Sequence, residues 1–440
     1  MNILIAHLRR ALAVAAVVMG AVLAPASAQE LPMFDKPVHI GVLLPELKPE
    51  AGPFWAEIAK AAREGTIATE EDFAFNAELV GMDFKVLTET PVRGDVAAAA
   101  QRLVDAGAFA IMGGYTNAET RALGAWAEQK GIPFLNIGAS ADILRNEQCF
   151  ATTFHLEPSA AMYLDSIVGW YVRSGLRQWY FVVEDSDEGR AQYERVRWSM
   201  NERHFGAREV GRMYLAPGRA GGANLAAAVR RANADVVILL QSAADQLVAL
   251  KDLETGGVPG TVQVTGYPHT EAQTRAFYEA SRAVAPTLGV GHRAAAWEAT
   301  IDAYGAREYN ARYRERWGVP MEATAWAIYH AMRAFYEAAF FNQGKTDPKS
   351  VMNYMMNPGS VFDLHKGVAT SFRPWDRQQR QSLYLIKVNS ADRATSKLAQ
   401  ALLVGELPAI YMPGTDLVER LDQIGDLANR SRCRKPTPLR

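Results

Sequence analysis

The sequence predicts an α/β molecule of two lobes, each built on a parallel sheet flanked by helices, joined by a multi-strand hinge and followed by a C-terminal extension. Three observations predict it. The chain has 440 residues, well beyond the usual domain of about 100 to 200. Short β-type runs alternate with longer helical segments, the pattern of βαβ units, and the alternation runs through two successive stretches. Apolar residues make up 49% of the chain and aromatic residues 10%, enough for a core in both lobes.

The chain opens with Arg9 and Arg10, an apolar run from Ala11 to Ala24, and Ala26-Ser27-Ala28. Charged, apolar and small-residue segments in that order read as a secretory signal peptide over residues 1–28. The run falls short of the roughly 20 apolar residues that span a membrane, and no Cys stands at the cleavage point. A protein exported to the periplasm is therefore expected.

The first half reads as strand His39–Leu44, helix Phe54 to about Thr69, strand Phe84–Thr88, helix Val96–Ala106, strand Phe109–Met112, helix Ala118–Gln129 and strand Phe134–Ile137. Lys130-Gly131-Ile132-Pro133 marks a helix stop, because Gly suits a left-handed cap and Pro cannot continue the helix. The second half repeats the scheme: strand Trp179–Val183, helix Arg190–Glu202, strand Glu209–Tyr214, helix Asn224–Ala232, strand Asp235–Leu240, helix Asp245–Glu254 and strand Thr261–Thr265. Each half is Rossmann-like. Beyond Pro286 two aromatic-rich helices, Trp297–Trp317 and Thr324–Phe341, are expected to return to the first lobe, before closing strands at Val361–Thr370 and Leu383–Val388.

These readings divide the chain into lobe 1 (29–154 and 285–361), lobe 2 (155–284 and 362–390) and an extension (391–440) without an obvious place in either sheet. Hinge strands are expected near Phe154, Ala285 and Val361. The extension carries the apolar stretch Leu407–Pro413 and is expected to pack along the body. Beyond the signal the chain holds two cysteines, Cys149 and Cys433. An oxidising compartment permits a bridge tying the tail to the first lobe; equally, Cys149 reads as a small buried apolar residue and Cys433 as a free thiol.

Charge narrows the function. With 47 basic against 48 acidic residues, no broad footprint for nucleic acid exists, and the basic run Arg430 to Lys435 reads as a solvated tail. No G-x-S-x-G, H-E-x-x-H, Walker loop or metal-spaced cysteine pair occurs, so neither an enzyme nor a resident cofactor is expected. The acidic run Glu184-Asp185-Ser186-Asp187-Glu188-Gly189 lacks the later glutamate of an EF-hand and reads as a cleft rim or solvated loop.

Gly113-Gly114-Tyr115-Thr116-Asn117-Ala118-Glu119-Thr120 and Gly131-Ile132-Pro133-Phe134-Leu135-Asn136-Ile137-Gly138-Ala139-Ser140 resemble the branched-chain amino acid (Leu/Ile/Val) binding proteins of ABC transporters. Thr324 to Ala331 looks like the tyrosine-containing helix of that family. The likeness spans roughly Pro37 to Val388 in element order. It implies a type I periplasmic binding protein, a monomeric carrier of a small molecule that docks on an inner-membrane permease. Lys366-Gly367-Val368, Ser371 to Asp376, Gln378, Arg380-Gln381 and Leu421 to Gly425 look like a subgroup associated with quinone (PQQ)-dependent alcohol dehydrogenase systems. That likeness implies the alternative of a ligand sensor or accessory protein of alcohol oxidation.

By resemblance, Asn117 takes the place of a carboxylate-binding serine, with Gly138, Ala139 and Ser140 supplying neighbouring contacts. The residue types agree. A loop ending in a helix N-terminus, as at Tyr115 and Thr116, presents amides that attract an anion, although Asn117 also suits a plain helix cap. Trp55 is placed to wall a cleft or to fill the core. Ligands of open α/β sheets bind beyond the carboxyl ends of the strands, which nominates Ser186, Asp187, Gln241, Ser242, Tyr267 and His269. The family pairs its ligand's ammonium with an acid after the strand matching Val262–Thr265, yet this chain reads Gly266-Tyr267-Pro268-His269. A buried ammonium without a carboxylate is costly, so a standard zwitterionic amino acid is not the expected ligand unless Glu184, Asp185 or Asp187 substitutes.

Overall fold

The computed structural model describes residues 37–47, 52–408 and 414–434. The export signal read in residues 1–28 lies outside them. Five strands form the first sheet: β1 (Val38–Leu43), β2 (Phe84–Glu89), β3 (Ala110–Gly113), β4 (Phe134–Asn136) and β5 (Thr153–His155). All pair in parallel, in the order β2-β1-β3-β4-β5. Parallel strands are covered on both faces and read as unbroken apolar runs; β3 is buried at every residue. The intervening helices are α1 (Pro53–Leu79), α2 (Val96–Asp105) and α3 (Asn117–Lys130). Gly131 ends α3 at φ 71°, the left-handed cap read from the sequence.

The second half contains α4 (Ala160–Arg173), β6 (Gln178–Glu184), α5 (Asp187–Glu202), β7 (Arg208–Leu215), α6 (Gly222–Ala232), β8 (Val236–Leu240), α7 (Ala243–Thr255), β9 (Gln263–Gly266) and α8 (Arg275–Val284). Its four strands are parallel in the order β7-β6-β8-β9. The chain then continues through β10 (His292–Ala295), α9 (Ala306–Trp317), α10 (Ala323–Phe341), α11 (Pro348–Met356), the short antiparallel pair β11 (Phe362–Asp363) and β12 (Ala369–Thr370), β13 (Leu383–Val388), β14 (Ala401–Leu407) and α12 (Leu417–Asp422). α10 packs along α1 and reaches β1 and β3, so the late helix does return to the first half.

Several elements differ from the sequence reading. The helix expected over Trp297–Trp317 begins only at Ala306; Trp297 instead stacks on Trp326, with ring centroids 5.6 Å apart. α1 runs ten residues past Thr69, and its charged end is held by α9 through Arg312–Asp72 (2.7 Å) and Arg316–Glu71 (2.9 Å). The strand expected over Val361–Thr370 is broken into β11 and β12. Ala401–Leu407, for which no sheet was foreseen, is β14, antiparallel to β13, which in turn pairs with β10.

The tail crosses both halves. Asp422 accepts hydrogen bonds from Arg373 (3.0 Å) and Arg380 (2.9 Å), Asp426 pairs with Arg195 of α5 (2.5 Å), and Gly425 O accepts from Arg203 (2.8 Å). Cys433 is bonded to Cys149, with Cα atoms 5.6 Å apart. Of the apolar stretch Leu407–Pro413, residues 409–413 lie outside the described residues.

Candidate functional site

A cleft of about 300 Å³ lies beyond the carboxyl ends of β1, β3 and β4 and faces the loop after β9. This is where open α/β sheets take ligands. From the first half Trp55, Tyr115, Thr116, Asn117, Gly138 and Ser140 line it, with Ala118 beside them; from the second come Glu188, His269, Thr270 and Glu271. The two loops of the first half meet through glycine. A Cβ on Gly138 would stand 2.9 Å from Tyr115 Cα, so a side chain there forces the loops apart, and one on Gly114, at φ 79°, would stand 2.3 Å from Thr120 Oγ1 in α3. Buried Asn136 shapes the second loop, its Nδ2 donating to Ala139 O (2.7 Å) and its Oδ1 accepting from Ala139 N (2.9 Å).

α3 starts with a capping box: Thr116 Oγ1 accepts from Glu119 N (3.2 Å) while Glu119 Oε2 accepts from the backbone of Tyr115 (3.0 Å) and Thr116 (3.3 Å). The cap is therefore Thr116, not Asn117. Two of the amides that the sequence offers to an anionic ligand are taken by the chain's own carboxylate. Asn117 turns its amide across the cleft, donating to Glu188 Oε2 (2.9 Å) and accepting from Ala141 N (3.2 Å). Trp55 is fixed by its indole N–H donating to Glu46 O (2.9 Å) and meets Tyr115 edge-on at 6.4 Å. Tyr115 OH donates to Leu43 O (3.0 Å).

Two further bonds cross from the second half: Tyr267 OH donates to Ser140 Oγ (2.7 Å) and Thr270 Oγ1 to Gly138 O (2.9 Å). His269 packs against Tyr267 with ring centroids 4.5 Å apart. Burial holds its imidazole below the usual histidine range, outweighing the Glu188 and Glu184 charges, which act the other way. Burial likewise pushes the Glu271 carboxyl up.

The remaining sequence candidates stand off the cleft wall. Ser186 caps α5 by accepting from Gly189 N (3.1 Å), and Asp187 is exposed in its first turn. Ser242 caps α7 and donates its backbone N–H to Glu184 Oε2 (3.2 Å). Gln241 is buried with its carbonyl accepting from Gln246 (3.0 Å). Ala139 is buried behind Ser140. Sequence reasoning missed Glu188, Thr270 and Glu271. Glu188 sits in the acidic run already noted; as the second residue of a helix starting at a strand's carboxyl end, it is aimed at the cleft. Thr270 and Glu271 lie on a 3₁₀ turn one step past His269, so an acid does stand on the loop after β9, four residues beyond Tyr267. Among the described residues no three His, Cys, Asp or Glu side chains gather to hold a metal.

The sequence pattern of periplasmic binding proteins matches residues 37–394. The chain belongs to that family, whose members are solute carriers rather than enzymes. It is similar in fold to a branched-chain amino acid ABC transporter periplasmic ligand-binding protein from Burkholderia xenovorans LB400, at 16% identity over 90% of this chain and 99% of that one, TM-score 0.76. A periplasmic binding protein from Burkholderia mallei matches at 19% identity over 90% and 98% of the two chains, TM-score 0.69. An ABC transporter solute-binding protein from Rhodopseudomonas palustris BisB5, in complex with 3,4-dihydroxybenzoic acid, matches at 17% identity over 86% and 99%, TM-score 0.65. No curated protein matches the chain in sequence.

Proposed function

We propose that the chain is the periplasmic substrate-binding component of an ABC importer, closing two lobes over a small polar or amphipathic solute that is not a standard zwitterionic amino acid. The observation that carries this reading is the cleft itself, bounded by the carboxyl ends of one parallel sheet and by the β9 loop of the other, in a chain of the periplasmic binding protein family. The occupied amides at Tyr115 and Thr116 support the exclusion of an amino acid, because an α-carboxylate there would have to displace Glu119.

In this reading the lobes exchange chain at three places. The first follows β5. The second lies between Ala295 and Ala306, since β10 packs beside β9 whereas α9 is ion-paired to α1. The third lies between Gln378, which bridges to His155, and Leu383, which starts β13. The second and third crossings thus fall later than the Ala285 and Val361 expected from the sequence. The solute binds one lobe, the crossings bend, and the other lobe buries it.

In-membrane crosslinking of the exported protein followed by mass spectrometry tests the assignment. A permease of the inner membrane is the expected partner; capture of a quinone-dependent dehydrogenase in its place, or turnover of a bound solute, overturns it.

A further inference from the structure

The cleft's polar wall has one sign. Glu188 and Glu271 line it, and among its lining residues no Lys or Arg appears. Burial disfavours the charged form of the His269 imidazole, which weakens any offset from that side. Glu188 is already engaged by Asn117. Glu271 is half-buried on the 3₁₀ turn and reaches the cleft wall. Trp55 and Tyr115 line the same cleft, held by their hydrogen bonds to Glu46 O and Leu43 O. Aromatic faces attract cations as carboxylates do, and a volume of about 300 Å³ is at the small end of ligand pockets.

We infer that the solute is a small organic cation, an amine with an apolar or aromatic body, whose charged nitrogen sits between Glu271 and Glu188 and whose body lies on Trp55. The inference rests on the carrier reading above and adds the charge class of the cargo. A carboxylate solute of the same size meets two acids and no basic side chain, and the amides of Tyr115 and Thr116 just before α3 are taken by Glu119. The carboxylates outside the ligand's reach, Glu119 and Glu184, are satisfied by backbone N–H groups, which leaves Glu271 as the acid that gains most from a cationic partner.

Isosteric probes of different charge test this with the full mature protein: benzylamine and phenethylamine against benzoate and benzyl alcohol, read by titration calorimetry and by thermal shift, since a ligand of the native state raises Tm by mass action. The amines are expected to bind and raise Tm, benzoate and benzyl alcohol to do neither. Glu271→Gln should weaken amine binding by about tenfold or more, a loss of one charge contact, with Tm of the ligand-free protein near the wild-type value. Glu188→Gln, which keeps an acceptor for Asn117, should weaken it less. Benzoate or benzyl alcohol binding as tightly as the amines, amine binding unchanged in Glu271→Gln, or absence of amine binding at millimolar concentration each overturns the inference. In all three cases capture of a permease leaves the carrier reading standing; capture of none removes both.

Discussion

Glu157 shows how one buried group sets a pH dependence at the point where the chain leaves the first sheet. Its side chain accepts from Tyr163 OH (2.8 Å), while its carbonyl accepts from Arg145 (2.6 Å) and Gln378 (3.0 Å). Burial pushes the carboxyl up from 4.5 to about 8, against the Tyr163 hydroxyl and the Arg145 and Lys366 charges, which lower it. A carboxyl raised in the folded state holds its proton better than in the unfolded chain. Its contribution to stability is present below about pH 4.5 and is lost as pH rises toward 8. Glu157→Gln keeps an acceptor for Tyr163 but cannot ionise. Relative to that variant, the wild type should therefore lose about 2 to 4 kcal/mol between pH 5 and 8. Thermal melts of both proteins across that range check it, and parallel curves would refute the assignment.

At the scale of elements, the C-terminal strap is the feature with the clearest energetic consequence. Its bond from Cys433 to Cys149 closes a loop with a sequence separation of 284, and restricting so long a loop in the unfolded chain stabilises the fold by about 2 to 5 kcal/mol. Asp422 and Asp426 seat the same segment on Arg373, Arg380 and Arg195. Cys433→Ser should lower Tm by several degrees and bring the variant level with reduced wild type; equal Tm values for the oxidised wild type and the variant would show that the ion pairs alone hold the strap. The strap also marks where the sequence ceases to be readable. Strands β1, β3, β6 and β8 are legible because parallel strands are unbroken apolar runs, and α3 because its stop carries Gly131 and Pro133. α4 escapes the same reading: it is buried nearly all round, so it has no polar face to generate a helical period. β14 alternates weakly, with Leu402 and Val404 exposed, and gains its place only by pairing with β13. In the site, the loops of Tyr115 to Asn117 and Gly138 to Ser140 are foreseeable from strand ends. The direction of Asn117 is not, because it depends on Glu188, 71 residues away.

Across the whole molecule, the three hydrogen bonds over the cleft bear on opening and closing. Asn117–Glu188, Tyr267–Ser140 and Thr270–Gly138 O are made between the protein's own groups, so in the proposed closure part of the free energy comes from the protein and not from the ligand. A carrier must keep that share small. If closure were fully favoured without solute, the site would be inaccessible; if it were strongly disfavoured, the apparent affinity would fall by the closed fraction. Each bond is worth about 1 kcal/mol net. Removing two of them with Tyr267→Phe and Thr270→Val should then shift the unliganded ensemble toward open forms and weaken solute binding by about tenfold or somewhat more. Small-angle scattering separates this from simple loss of contacts with ligand. The double variant should have a larger radius of gyration than the wild type when empty, and the same radius when saturated. On the proposed lobe division the strap joins Cys149 of one lobe to Arg195 of the other, so Cys433→Ser placed on the double variant should enlarge the ligand-free radius further. Identical scattering from empty wild type and double variant would mean that the lobes are held together by their hinge packing, and that the cross-cleft bonds follow closure without driving it.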